Sequence, residues 1–135
     1  MKTYNFNNWQ LILGDRSRDI FDYFSVEELH GLTLEDCLRH PEPETPGTPG
    51  VYIWGLANES PIVDEPPFIF LNMHRMTSTY RDVTTIMHEA MHLSLLLHDY
   101  DVDDYEEEIV TWAELTTNEI YPLCLQYQAT IWKNN

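Results

Sequence analysis

A chain of 135 residues is long enough for one buried core and too short for two domains of ordinary size. Seven basic residues against 23 acidic ones give a net charge of −16, which argues against nucleic-acid partners and anionic membrane surfaces. An apolar fraction of 43% with four Trp, eight Tyr and five Phe excludes a disordered chain.

No apolar run approaches the roughly 20 residues needed to cross a bilayer. Met1-Lys2-Thr3-Tyr4-Asn5 lacks the apolar stretch of a signal peptide. Cys37 and Cys124 are too few for a disulfide framework and form no CxxC pair, so both read as ordinary semi-buried thiols. The expectation is a cytoplasmic protein with a single domain over residues 1–135.

In chain order, residues 9–40 read as helical, with Ile20, Phe21, Phe24 and Leu29 at helical intervals and Thr33 as an N-cap before Leu34-Glu35-Asp36-Cys37-Leu38. Residues 41–50 hold four prolines and two glycines, which neither a helix nor a central strand tolerates, so they form a loop. Val51-Tyr52-Ile53-Trp54 and Phe68-Ile69-Phe70-Leu71 are β-branched and aromatic runs bounded by Gly and Pro, and both are expected to be strands. Ile62-Val63 is a candidate third. Pro66-Pro67, just ahead of Phe68, suits an edge strand, where missing amide donors matter least.

From Ser78 the pattern turns helical, with Ser78 or Thr79 as cap. Val83, Ile86, Met87, Ala90, Met91, Leu93, Leu95, Leu96 and Leu97 make a helix apolar nearly all round, hence a buried one. Asp99–Asp104 breaks it. Asp99-x-Asp101-x-Asp103 has the start of a calcium-loop pattern, but two features oppose that reading: Asp104 stands where the sharp-turn glycine belongs and Val110 where the bidentate Glu belongs. A second helix opens with Asp104 and Glu107 spaced as a capping box and Glu106-Glu107-Glu108 near its positive end. Pro122 stops or kinks it, before a last short helix with Leu123, Leu125, Tyr127, Ile131 and Trp132.

The chemistry is carried by His88-Glu89-Ala90-Met91-His92. Histidines four apart lie on one helix face a turn apart and can share a zinc ion. Glu89 occupies the position of the general base in metallopeptidases. In a greasy helix these polar groups are costly unless compensated, and zinc would compensate them.

Zinc needs a third protein ligand. His98 completes a three-histidine spacing used by metzincins and some metal-dependent nucleases, but Leu95 replaces the glycine at which such chains turn. On a continuous helix His98 lies about 120° round from His92 and about 9 Å further along. It reads as a helix C-terminal histidine. The following helix offers Glu106, Glu107, Glu108, Glu114 and Glu119. With Ile109, Trp112, Ala113, Leu115 and Ile120 defining its inward arc, Glu108 and Glu119 fall inside and Glu114 opposite. Glu108, just after a short turn, is the expected ligand.

The order strand–Asn, loop, T-x-x-H-E-x-x-H helix and glutamate helix resembles the ImmA/IrrE family of small gluzincin-type peptidases. It appears here as Phe68–Asn72, Thr85–His92 and Glu108-Ile109-Val110-Thr111-Trp112-Ala113, across residues 68–115. The resemblance implies an α+β zincin-like fold: N-terminal helices, a small sheet whose edge is 68–71, the HExxH helix and the glutamate helix. It also implies a zinc peptidase acting on a protein or peptide substrate held by strand addition, with Glu89 as base and His88, His92 and Glu108 as ligands. Tyr100, Tyr105 and His74 are candidate transition-state donors, while His74 and Arg75 read first as solvated loop residues. The alternatives are a non-catalytic interaction protein on the same scaffold and a three-histidine nuclease. The intact Glu89 opposes the first, and the missing glycine and the net charge oppose the second.

Overall fold

The computed structural model describes residues 1–45, 50–76 and 79–133, with side chains described as far as Thr130. Strand β1 (Lys2–Asn5) pairs antiparallel with β2 (Gln10–Gly14) across a turn closed by the Phe6 amide on the Trp9 carbonyl, 2.9 Å, with the two rings stacked. Helix α1 (Asp19–Phe24) ends on Ser25 in the left-handed region. The two-residue strands β3 (Glu28–Leu29) and β4 (Leu32–Thr33) form a ribbon whose tip, His30-Gly31, has φ of 48° and 83°. Helix α2 (Leu34–Arg39) starts as expected, with Thr33 Oγ1 accepting from the Asp36 amide at 3.2 Å. Strands β5 (Gly55–Asn58) and β6 (Phe68–Asn72) precede the long helices α3 (Thr79–Leu97) and α4 (Val102–Lys133).

The main sheet runs β1-β2-β6-β5, with β2 and β6 parallel and β5 antiparallel to β6. Residues alternate between its faces. Leu11, Leu13, Ile69 and Leu71 pack against Ile86, Ala90 and Leu93 of α3 and Ala113, Ile120 and Cys124 of α4. Ile12, Phe68 and Phe70 pack against Ile20, Phe21 and Phe24 of α1, Leu29, and Cys37 of α2. The result is a mixed α and β arrangement with helices on both faces. No helix among the described residues is long and apolar enough to cross a membrane.

Several expectations are corrected. Residues 9–40 are not one helical region, because Gln10–Gly14 is a fully buried strand. Its unbroken apolar run is what a strand covered on both faces requires, and it lacks the alternation that marks a half-buried one. Phe68–Leu71 is a strand but not the edge: β6 has β2 on one side and β5 on the other, and β5 is the edge. Pro66 and Pro67 precede the ladder and remove no donor from it. Residues 51–54 are irregular, and the strand in this region begins one residue later, at Gly55. Ile62 and Val63 lie in an exposed turn. Residues 41–45 and 50 lack regular structure, and 46–49 lie outside the described residues, as does Ser78 as a cap.

The α3–α4 turn also differs in detail. Asp99 and Tyr100 adopt left-handed φ of 55° and 59°, and Asp101 is the cap of α4, its Oδ1 accepting from the Asp104 amide at 3.2 Å. Asp104 is therefore the capped residue and not the cap. Helix α4 breaks its helical geometry at Tyr105 and continues through the exposed Pro122, so no separate last helix forms. Leu123 and Tyr127 are half-buried and Leu125 is exposed, while the side chains of Ile131 and Trp132 lie outside the described residues.

Candidate metal and catalytic site

Helix α3 buries one stripe, Asp82, Ile86, Glu89-Ala90 and Leu93-Ser94, at three- and four-residue spacing. This corrects the reading of a helix buried all round: Tyr80, Met87, His88 and His92 are exposed. The histidines face outward, so the burial cost within the motif falls on Glu89 alone. Their Nε2 atoms stand 3.1 Å apart. Two nitrogens on one tetrahedral zinc, at about 2.0–2.1 Å each, are about 3.3 Å apart, which is close to the separation seen here.

Glu89 is 7% exposed, and burial pushes its carboxyl up to about 7. Its Oε1 is 3.8 Å from His88 Nε2. A carboxyl of that pKa exchanges protons near neutrality, as a general base must. The edge strand explains its enclosure. Gly55, first residue of β5, lies so close that a Cβ there would stand 2.9 Å from Glu89 Cγ and 3.3 Å from the Phe70 carbonyl oxygen. Strand β5 thus passes directly over Glu89, and among the described residues no further strand pairs with its outer edge.

A cleft of about 420 Å³ opens here, lined by Trp54, Gly55, Arg75, Thr84, Thr85, His88 and Glu89. A larger hollow of about 560 Å³ lies between residues 59–67 and the C-terminal end of α3, and contains none of the HExxH residues. Of the two, the smaller cleft is the one lined by motif residues, His88 and Glu89.

Arg75 corrects the reading of a solvated loop. Its side chain is 10% exposed, its Nη1 is 3.8 Å from Asp82 Oδ1, and its guanidinium carbon lies 4.1 Å over the Trp54 ring. The turn that delivers it is set by the buried Asn72, whose Oδ1 accepts from the His74 amide at 3.0 Å and whose own amide donates to the Trp54 carbonyl at 2.9 Å. Asn72 Nδ2 donates to Glu42 Oε1 at 3.1 Å. His74 points elsewhere, into a hollow shared with Asp15, Cys37 and Glu42. Its Nε2 and Asp15 Oδ1 are buried without hydrogen-bond partners among the described residues.

The remaining candidates are dispersed. His98 Nδ1 lies 2.8 Å from the Ser94 carbonyl and its ring leans on Tyr105, so it closes the end of α3. Tyr100 is exposed and borders the larger hollow, and Tyr105 is exposed too. Glu106, Glu107, Glu108, Glu114 and Glu119 are all exposed on α4. The inward arc of α4 is Ile109, Ala113, Thr116-Thr117, Ile120 and Cys124; Leu115, placed in it on sequence grounds, is 62% exposed. Ile109, beside Glu108, is level with Ser94, whose hydroxyl donates to its carbonyl at 2.7 Å. Among the described residues no trio of His, Cys, Asp and Glu side chains is gathered at metal-binding spacing.

The structure thus brings together His88, Glu89 and His92. Sequence reasoning missed Trp54, Gly55, Thr84 and Asp82; the available signal was the Trp-Gly pair closing an apolar run. Comparison with family models, curated proteins and solved structures finds no match.

Proposed function

We propose that the protein is a zinc-dependent peptidase of the zincin kind, with His88, His92 and Glu108 as zinc ligands and Glu89 as general base. The observation that carries the reading is the 3.1 Å approach of two exposed imidazole nitrogens beside a buried carboxyl, under the edge strand of a sheet. When bound, zinc supplies Lewis acidity toward a carbonyl and lowers the pKa of water.

The chain's own residues do the rest. The open edge of β5 supplies backbone donors and acceptors that hold an extended peptide as an added strand. Gly55, lacking a side chain, lets β5 itself run in contact with Glu89, so a strand added at its outer edge lies one strand away from the carboxyl. Glu89 takes a proton from the attacking water on a carboxylate oxygen and delivers it to the departing amine. Burial, which holds its pKa near neutrality, suits both transfers.

The test has two parts. Elemental analysis of protein purified without an affinity tag is expected to find one zinc per chain. A proteome-derived peptide library is then incubated with wild type and with Glu89→Gln. Cleavage by wild type should fall at least about 10²-fold in the variant, the usual weight of a general base. Equal cleavage by both proteins would sink the reading.

A further inference from the structure

We propose that Arg75 makes this cleft selective for peptides that present a carboxylate beside the attacked bond, an inference that rests on the peptidase reading above. Among the described residues Arg75 is the only Lys or Arg lining the cleft, and it shares that lining with Glu89. The other arginines in ion pairs, Arg16, Arg18 and Arg39, have side chains 57%, 40% and 63% exposed, against 10% for Arg75. A cation withdrawn from water in this way needs an anionic partner.

Asp82 meets that need in part. The N···O separation of 3.8 Å is an ion pair but too long for a hydrogen bond. Asp82 Oδ2 is also engaged by Gln128 Nε2 at 3.1 Å. Asp82 therefore orients Arg75 without using up its donors. The indole of Trp54 covers one face of the guanidinium at 4.1 Å. Stacking occupies a face and leaves the N–H edge, which matches the two oxygens of a carboxylate. Trp54 and Arg75 are tied to one another through Asn72, which bonds the Trp54 carbonyl and sets the turn before Arg75. The receptor is thus held in place ahead of binding, which lowers the ordering cost of recognition.

Two sources supply the same chemistry, a free C-terminus and an acidic side chain. Four blocked peptides separate them: acetyl-tetraalanine as acid and as amide, and acetyl-Ala-Ala-Glu-Ala-amide against its Gln counterpart. Affinities are measured calorimetrically on the zinc-loaded full chain. One carboxylate peptide is expected to bind about tenfold or more tightly than its neutral partner, on the strength of a charge-assisted hydrogen bond. The pair that shows the preference names the source. Arg75→Gln should abolish the preference, and Arg75→Lys should retain part of it, with circular dichroism and zinc content as controls of folding. Equal binding within both pairs by wild type overturns the inference, as does a folded Arg75→Gln protein that keeps the preference. Should Arg75→Gln not fold, an Arg75→Lys protein with undiminished preference overturns the bidentate role. Zinc-loaded wild type that binds none of the four peptides overturns this inference, and the peptidase reading falls with it only where Glu89-dependent cleavage is absent too. Equal binding alongside intact Glu89-dependent cleavage overturns the inference alone.

Discussion

Gly55 and Glu89 are in contact across the cleft, with room for a hydrogen but not for a methyl: a Cβ at residue 55 would stand 2.9 Å from Glu89 Cγ and 3.2 Å from its Cδ. The Phe70 carbonyl oxygen, 3.3 Å away on the neighbouring strand, blocks the other direction of escape. Gly55→Ala must therefore push Glu89 or part β5 from β6. Overpacking of this kind costs about 1–3 kcal/mol. We expect that loss in chemical denaturation, together with a fall in Glu89-dependent cleavage larger than any change in zinc content. Unchanged stability and unchanged cleavage would show that the strand does not press on Glu89.

The HExxH part of this cleft was legible from residue order, and the remaining walls were not, for physical reasons. The HExxH spacing is local, so a helix alone brings His88 and His92 together. Sheet order is not local. Phe68–Leu71 is apolar on both faces, which argues for a central strand, yet Pro66-Pro67 drew the reading toward an edge. The true edge, Gly55-Leu56-Ala57-Asn58, has little strand propensity of its own and forms because β6 templates it. Gln10–Gly14 was hidden for the converse reason, since burial on both faces erases the alternation that marks a strand. The α4 wheel erred at Leu115, where an apolar residue is simply exposed, and Thr116 and Thr117 took its place inside; Thr117 satisfies its hydroxyl on the Ala113 carbonyl at 2.7 Å.

The two thiols should be inert in the folded protein. Burial pushes Cys37 up to about 11, helped by Glu42 and Asp36, and pushes Cys124 up to about 12, helped by Asp82. The thiolate is the nucleophile, and a raised pKa leaves little of it at neutral pH. Alkylation of native protein by iodoacetamide should run on the order of 10²-fold or more slower than that of a free thiol with pKa about 8.5. The rate should climb with pH, about tenfold per unit while the fold persists, and both sites should react promptly in denaturant. Rapid labelling of either cysteine at pH 7 in the folded state would contradict this burial.

The crossing of α3 and α4 is pinned by the buried Ser94, whose hydroxyl donates to the Ile109 carbonyl across the interface. Ser94→Ala removes one hydrogen bond and little volume. A loss of about 1 kcal/mol is expected, the usual net worth of such a bond. Because Ile109 adjoins Glu108, the same variant should also weaken zinc binding if the carboxylate is held in place through this crossing. Full stability in Ser94→Ala would mean that packing alone sets the crossing.

The ligand set is the prediction on which the functional reading most depends. His88→Ala and His92→Ala should each abolish stoichiometric zinc binding, since each removes half of the pair whose nitrogens stand 3.1 Å apart. His98→Ala should retain zinc, because its Nδ1 is committed to the Ser94 carbonyl at the end of α3. The third ligand is the sharper question. Glu108 is exposed on α4 and is not gathered with the histidines, so its ligation requires the side chain to be drawn in by the ion. That movement has a measurable consequence. Ordering a flexible carboxylate onto zinc should tie the first turns of α4 to α3, and zinc should slow hydrogen exchange around Tyr105–Ile109 in wild type but not in Glu108→Gln. Titration with a competing chelator should rank Glu108→Gln well below Glu107→Gln and Glu114→Gln, which should bind like wild type. If Glu108→Gln holds zinc normally and another glutamate variant loses it, the third ligand is misassigned while the histidine pair stands. If none of the glutamate variants changes affinity but His88→Ala does, the site is completed by a group outside α4, and the gluzincin arrangement is wrong for this protein.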